Sequence, residues 1–381
     1  MIYLDNSATT KPYPEVLDTY IKASEQYFGN PSSLHKLGAR SEELLYKSRL
    51  QAAELLGVRE SEIVFTSGGT EGNNAAIKGV AFGYQNRGKH MVTTKVEHPA
   101  SLEAFKQLEH LGFDVTYLDV DHEGRLSLEQ LKKAVRPDTV LVSIIHVNNE
   151  LGTIQPIQAI GDYLKACPKT LFHVDHVQGL VKVPLDFKKC GIDLCTMSGH
   201  KIHGPKGTGI LYVKEGLKLS PLFAGGGQEM GRRSGTENLP GIVGLVKALR
   251  LSTERSKQQL SHVAALKNKI IKAFQEMTDV AVHTPDQGAA PHIINATIKG
   301  VRAEVLIHAL EEEDIYISTK SACASKAAEV STVLTACGIS DIDARQAIRV
   351  SLSLDQTDEE IDVFLSVLTK KVAELRKVMA Y

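Results

Sequence analysis

The chain has 381 residues, 43% hydrophobic and 23% charged, enough material for a core of two-domain size. Its 44 Lys and Arg against 45 Asp and Glu leave a formal net charge of -1, so no global field favours nucleic acid or an anionic membrane. The five cysteines (Cys167, Cys190, Cys195, Cys323, Cys337) never form a C-x-x-C pair, which argues against a disulfide framework and a structural zinc site.

The opening residues, MIYLDNSATTKPYP (1–14), lack the basic start and apolar core of a secretory signal, and no apolar run reaches the roughly 18 residues of a membrane span. The expectation is a cytoplasmic protein with no membrane partner. From residue 63 onward, short apolar runs alternate with amphipathic stretches. IVFT (63–66), MVTT (91–94), VLVSIIHV (140–147), LFHV (171–174) and LCTMS (194–198) read as strands buried on both faces, while 100–111 and 157–167 carry apolar residues at helical spacing. The alternation predicts an α/β fold, a mostly parallel sheet wrapped by helices, with ligands at the carboxyl ends of the strands.

A long helical pattern over 242–274 has a polar middle, STERSKQQ (252–259), as expected where a helix crosses between two packed bodies. The boundary is placed there, giving a large domain over 16–255 and a smaller α+β domain from 1–15 and 256–381. In the smaller domain HIINATI (292–298), IYIS (315–318) and IRVSLS (348–353) read as strands and 303–312 as a helix. The last helix starts at a capping box, Thr357 with Glu360, and Ile361, Phe364, Leu365, Leu368, Val372, Leu375 and Met379 trace its apolar face.

Several residues could do chemistry. TSGGTEGNN (66–74) joins a strand to a helix through Gly68 and Gly69, and its exposed N–H groups suit a phosphate, although an ordinary turn would look the same. His98, in VEHPAS, is a catalyst or a hydrogen-bonded cap. Asn148 and Asn149 end the strongest strand and serve a turn or the rim of a site. Asp175 ends LFHV, as an N-cap or as the partner of a cation. Lys201, in TMSGHKIHGPKG (196–207), is either a solvated loop lysine or, beside apolar walls, a nucleophile and base. Cys323 lies in STKSACASKAAE (318–329), where Lys320 and Lys326 favour a thiolate, whereas Cys190, Cys195 and Cys337 sit in apolar contexts. Arg349, within a strand-like run, must find an anion if it points inward and is otherwise a surface residue on an edge strand.

Taken together, the motifs resemble the pyridoxal-phosphate-dependent cysteine desulfurases, in the class V branch of the aminotransferase-like fold (fold type I). The likeness runs nearly end to end, through YLDNSATT, GNPSS, SGGTEGNN, EHPA, VNNELGTIQPI, HVDHVQ, SGHKIHGPKG, RSGTEN, SACAS and RVSL. It implies that Lys201 carries pyridoxal 5'-phosphate, that Asp175 pairs with the ring nitrogen, that His98 stacks on the ring and moves protons, and that Gln178 bonds the phenolate oxygen. It implies a phosphate held by the backbone of Gly69 and Thr70, by Ser198 and His200, and by Thr236 of the partner subunit in a homodimer. Asn149 and Arg349 would orient L-cysteine, Arg349 by its carboxylate, and Cys323 would take the sulfur as a persulfide and release alanine.

The run from 323 to 334 resembles the long-loop group, which hands sulfur to an acceptor protein, in iron–sulfur cluster, tRNA-thiolation or thiamine pathways. No direct nucleic-acid partner is expected. STKSACASK, His176 and Ser353 depart from the common pattern of that family, and the two lysines bear on which acceptor docks. The readings set beside this one are another class V activity, such as a selenocysteine lyase or an aminotransferase, and a non-catalytic sulfur-transfer scaffold.

Overall fold

The computed structural model describes residues 1–319 and 330–379. Cys323, with Lys320 and Lys326, lies outside the described residues. Strand β1 (Ile2–Tyr3) is followed by the strands of the main sheet: β2 (Ile63–Thr66), β3 (His90–Thr94), β4 (Asp114–Leu118), β5 (Thr139–Ile145), β6 (Leu171–Asp175), β7 (Leu194–Ser198) and β8 (Gly209–Val213). They lie in the order β2-β8-β7-β6-β5-β3-β4 and run parallel except for β8, which is antiparallel to both its neighbours. All but β4 are buried along their whole length, because helices cover both faces. Strand β4 escapes a reading based on apolar runs because it is a half-exposed edge. From β5 the chain moves one way through β6 and β7 while β3 and β4 lie on the other side. The crevice at the carboxyl ends of β3, β5, β6 and β7 is therefore the switch point at which such sheets bind ligands.

Helices α1 (Pro14–Gln26), α2 (Lys36–Leu56), α3 (Gly69–Tyr84), α4 (Pro99–His110), α5 (Leu128–Ala134) and α6 (Ile157–Leu164) precede the long α7 (Leu239–Glu276). Leu245 and Leu249 of α7 pack with Phe65, Phe172 and Met197 of the main sheet, whereas Leu266, Ile270 and Phe274 belong to a separate core. Between them, Ser252 and Ser256 are buried and donate to the carbonyls of Ile202 and Val181, which explains the polar middle of the helix. The second core is built on the antiparallel sheet β12-β10-β9, made of β9 (Val280–Val282), β10 (Ile293–Ile298) and β12 (Ala347–Ser351). Helices α8 (Ala303–Glu311) and α9 (Asp358–Met379) cover it.

The expected capping box forms: the Thr357 N–H donates to Glu360 Oε2 at 3.1 Å and the Glu360 N–H to Thr357 Oγ1 at 3.3 Å. Ile361, Phe364, Leu368 and Val372 are buried below it. Strand β1 pairs in parallel with β11 (Ile315–Tyr316), and Leu4 enters the second core. The chain then turns at Asp5, whose carbonyl accepts the Ala8 N–H at 3.0 Å, and crosses to the main sheet, where the Thr10 N–H donates to the His200 carbonyl at 2.9 Å. Residues 5–10 are thus a strap between the two cores. Among the described residues no helix is long and apolar enough to cross a membrane, and no His, Cys, Asp and Glu cluster has the make-up of a metal site.

Candidate active site

The switch point opens into a cavity of about 140 Å³ lined by Gly69, Thr70, His98, Asn149, Asp175, Gln178, Ser198, His200, Lys201 and Arg349, with Ser7, Ala8, Asn73, Ile145 and Val177. A single water needs only about 15 Å³ of such space, so the cavity is of ligand size. Each lining residue arrives by a local rule. Helix α3 opens on Gly68, whose φ of 145° only glycine adopts without strain, and no side chain caps its first N–H groups. His98 caps α4, Asp175 and Ser198 end β6 and β7, and Lys201 closes the short helical turn after Ser198. A more open hollow runs on past Gly69, Thr70, Ser198 and His200 to Lys206. Asn148 does not line the cavity: its Oδ1 accepts the N–H groups of Glu150 and Leu151, so it serves the turn. Thr236 is exposed and stands outside the cavity of its own chain.

Asp175 is 3% exposed, and burial raises its carboxyl above the usual range. Asn73 Nδ2 donates to its Oδ2 at 2.7 Å, the Val177 N–H donates to its Oδ1 at 3.0 Å, and the charge of Lys201 also favours the carboxylate. No helix follows Asp175, so it is not an N-cap; it accepts a turn N–H and feels the charge of Lys201. The Lys201 ammonium donates to the carbonyls of Ser7 at 2.6 Å and Ala8 at 2.7 Å. These carbonyls come from the strap.

His98 is likewise cap and cavity wall. Its Nδ1 accepts the Ala100 N–H at 3.1 Å, which leaves the proton on Nε2. Burial, then the charges of Lys201 and Arg349, hold its pKa down at about 4, so the ring is neutral at pH 7. His200 is held at about 3 by burial and neighbouring cations. Away from the cavity, burial holds His146 and His203 at about 4 and His173 at about 3.

Such a group takes up its proton only on unfolding as pH falls from its ordinary 6.5 towards 4, so stability is lost through that window. Each well-buried imidazole accounts for about 2 kcal/mol between pH 7 and pH 5. Glu97, pushed up to about 8 by burial, binds its proton in the native chain and offsets one of them. Urea titrations are expected to show the unfolding free energy lower at pH 5 than at pH 7 by several kcal/mol. An unchanged value would mean that the imidazoles are not held neutral.

Arg349 resolves its alternatives in an unexpected way. Strand β12 is at the edge of its sheet, yet Arg349 is 1% exposed because the strap lies over it, with the Asn6 N–H on the Ser351 carbonyl at 3.3 Å. Nη1 donates to the Asn149 carbonyl at 2.9 Å, and Nη2 donates to Asp5 Oδ1 at 2.9 Å and to Ser318 Oγ at 3.4 Å. The carboxylate that meets it does so through one bond and not through a bidentate fork. Asp5, Ser7, Ala8 and Asn73 carried no role in the sequence reading. The signals were the YLDNSATT motif, whose contacts span more than 190 positions, and SGGTEGNN, which contains Asn73.

The model of the class-V aminotransferase family matches residues 2–364. The chain belongs to that family. Among the relatives of this class-V family member, the NifS/IcsS protein homolog of Lactobacillus delbrueckii subsp. bulgaricus is 48% identical over 380 residues, covering 99% of both chains. The cysteine desulfurase IscS of Methanosarcina thermophila is 42% identical over 377 residues, 99% of this chain and 93% of that one. A solved structure of a NifS-like protein superposes with a TM-score of 0.92 at 38% identity, covering 98% of this chain and 99% of that one. Class-V aminotransferase family members depend on pyridoxal phosphate, and the residues present suit that group. The helix start is uncapped, and Ser198 Oγ, Asn149 Oδ1 and Gln178 Oε1 are buried without a partner among the described residues. A Cβ at Gly69 would come within 3.0 Å of Val177.

Proposed function

We propose that this chain is a pyridoxal-phosphate-dependent cysteine desulfurase that converts L-cysteine to L-alanine and carries the sulfur as a persulfide on Cys323. The observation that carries the reading is the meeting, in one cavity, of a lysine, a buried carboxylate, a neutral imidazole and a buried guanidinium. The desulfurase names of relatives matched over nearly their whole length support it.

Lys201 would hold the cofactor through Nζ and Asp175 would keep the proton on its ring nitrogen. The N–H groups of Gly69 and Thr70, with Ser198 and His200, would hold the phosphate. Gln178 donates through Nε2 to the Ser7 carbonyl at 2.9 Å and has one further N–H for the phenolate oxygen. When bound, pyridoxal phosphate supplies an aldehyde that condenses with amines and a ring that draws electrons from the substrate's α-carbon. Arg349 and Asn149 orient the substrate carboxylate, and Lys201 moves a proton at the α-carbon with His98, fixed as the Nε2–H tautomer, beside it. The Cys323 thiolate attacks the substrate sulfur: an S–S bond forms, the C–S bond breaks, its electron pair stays with carbon, and a proton completes alanine.

The same reading makes the chain a cytoplasmic homodimer in which Thr236 of the partner subunit reaches the phosphate. Support comes from apolar side chains left exposed over 17–50, among them Ile21, Phe28 and Leu34, and from the exposure of Thr70 and Thr236. The division into 16–255 and 1–15 with 256–381 is supported by the separate cores and by Leu4 lying in the second. The sulfur acceptor is proposed to be a protein. The purified protein, supplied with pyridoxal phosphate, L-cysteine and a dithiol reductant that releases the persulfide sulfur, is expected to be yellow and to form alanine and sulfide in equal amounts. Alanine without sulfur release, or a keto acid as product, would overturn the reading in favour of another class-V activity.

A further inference from the structure

Arg349 is among the largest fully buried side chains, and Asp5 is the carboxylate paired with it among the described residues. A carboxylate ligand can grip a guanidinium through Nε and Nη2 or through Nη1 and Nη2. Nη2 belongs to both forks, and Asp5 Oδ1 sits on it at 2.9 Å. Nη1 is anchored to the Asn149 carbonyl, and Nε is buried with no partner among the described residues. An incoming carboxylate can therefore take neither fork without sharing Nη2 with Asp5. Asp5 meets the guanidinium through one bond and its carboxyl is also hydrogen-bonded to Ser318, at a turn whose backbone is fixed independently by the Tyr3 hydroxyl and the Ala8 N–H on its carbonyl. Its side chain remains 21% exposed.

We propose that Asp5 is a positioning residue that acts through Arg349: it is the resident counter-ion of the guanidinium and competes with the substrate carboxylate for Nη2. This rests on the reading of Arg349 as the receptor for that carboxylate. Asp5 keeps a buried cation neutralised when the site holds no substrate, and the like charge of two carboxylates on one guanidinium weakens the hold on substrate and on product alike. Release of alanine, whose carboxylate and amine are those of the substrate, benefits directly.

The test uses the holoenzyme. Asp5→Asn keeps an oxygen that accepts the Nη2 bond and removes the charge. It is expected to lower the KM for L-cysteine and the inhibition constant of L-alanine together, by about fivefold or more. The inhibition constants of cysteamine and ethylamine, which lack a carboxylate, should stay as they are. A role confined to holding the fold would move all four. If the L-cysteine and L-alanine constants are unchanged or rise, or if the amines shift as much, the competition does not exist. Should Asp5→Asn fail to fold, Asp5→Ser is read by the same four constants. Arg349→Lys, which loses both forks, should raise the KM for L-cysteine by about tenfold or more. If it does not, Arg349 is not the carboxylate receptor, a failure distinguishable from that of Asp5.

Discussion

Replacing Lys201 by alanine is expected to reduce alanine formation from L-cysteine by about a thousandfold or more, since one amine both holds the cofactor and moves the α-proton. It is the lysine of the cavity, and the two strap carbonyls aim its Nζ. Two measurements check this: quantification of alanine, and borohydride treatment of the holoprotein followed by peptide mass analysis. The pyridoxyl mass should fall on the peptide containing Lys201 and vanish in the variant. The rival amine is Lys182, which is buried, lowered by that burial to about 8, and bonded to the Lys201 carbonyl at 3.2 Å. Pyridoxyl mass on Lys182 in the unaltered protein would sink the assignment.

Cys323→Ala should have an effect of similar size on sulfur transfer, a loss on the order of a thousandfold in persulfide and in alanine, with the cofactor absorption and the binding of L-alanine retained. The structural reason lies in the other thiols. Cys195 is buried and held well above its ordinary pKa, Cys337 is pushed up to about 12, and burial raises Cys190 as well. None of the three is a thiolate at neutral pH, and the thiolate is the nucleophile. Labelled persulfide recovered from the variant on Cys167, the remaining half-buried thiol, would move the role there. Undiminished alanine with no protein persulfide would favour a lyase chemistry that needs no thiol.

Much of the site could be read along the chain because its residues stand at strand ends. Asp175, Ser198 and Lys201 each follow an apolar run buried on both faces, and the carboxyl end of a parallel strand is where a ligand meets such a sheet. His98 and the Gly68–Gly69 turn follow the same rule. The polar stretch inside α7 was legible too, since buried serines there bond carbonyls of another segment. Strand β4 was missed because an exposed edge carries no apolar run, and Asn148 and Asn149 could not be told apart because one turn points them in different directions.

The amino-acid order alone determined the kinds of elements, their succession and the polar residues that close them, since periodicity, turn glycines and caps act over a few positions. Only the tertiary structure decided the company those residues keep. An arginine on an edge strand became fully buried because a strap from the other end of the chain lies across it, bringing Asp5 to a guanidinium 344 positions away. Local pattern carries no information on such a pairing. It arises when two cores share one helix and one strap, so that packing far apart in the chain settles which charges meet.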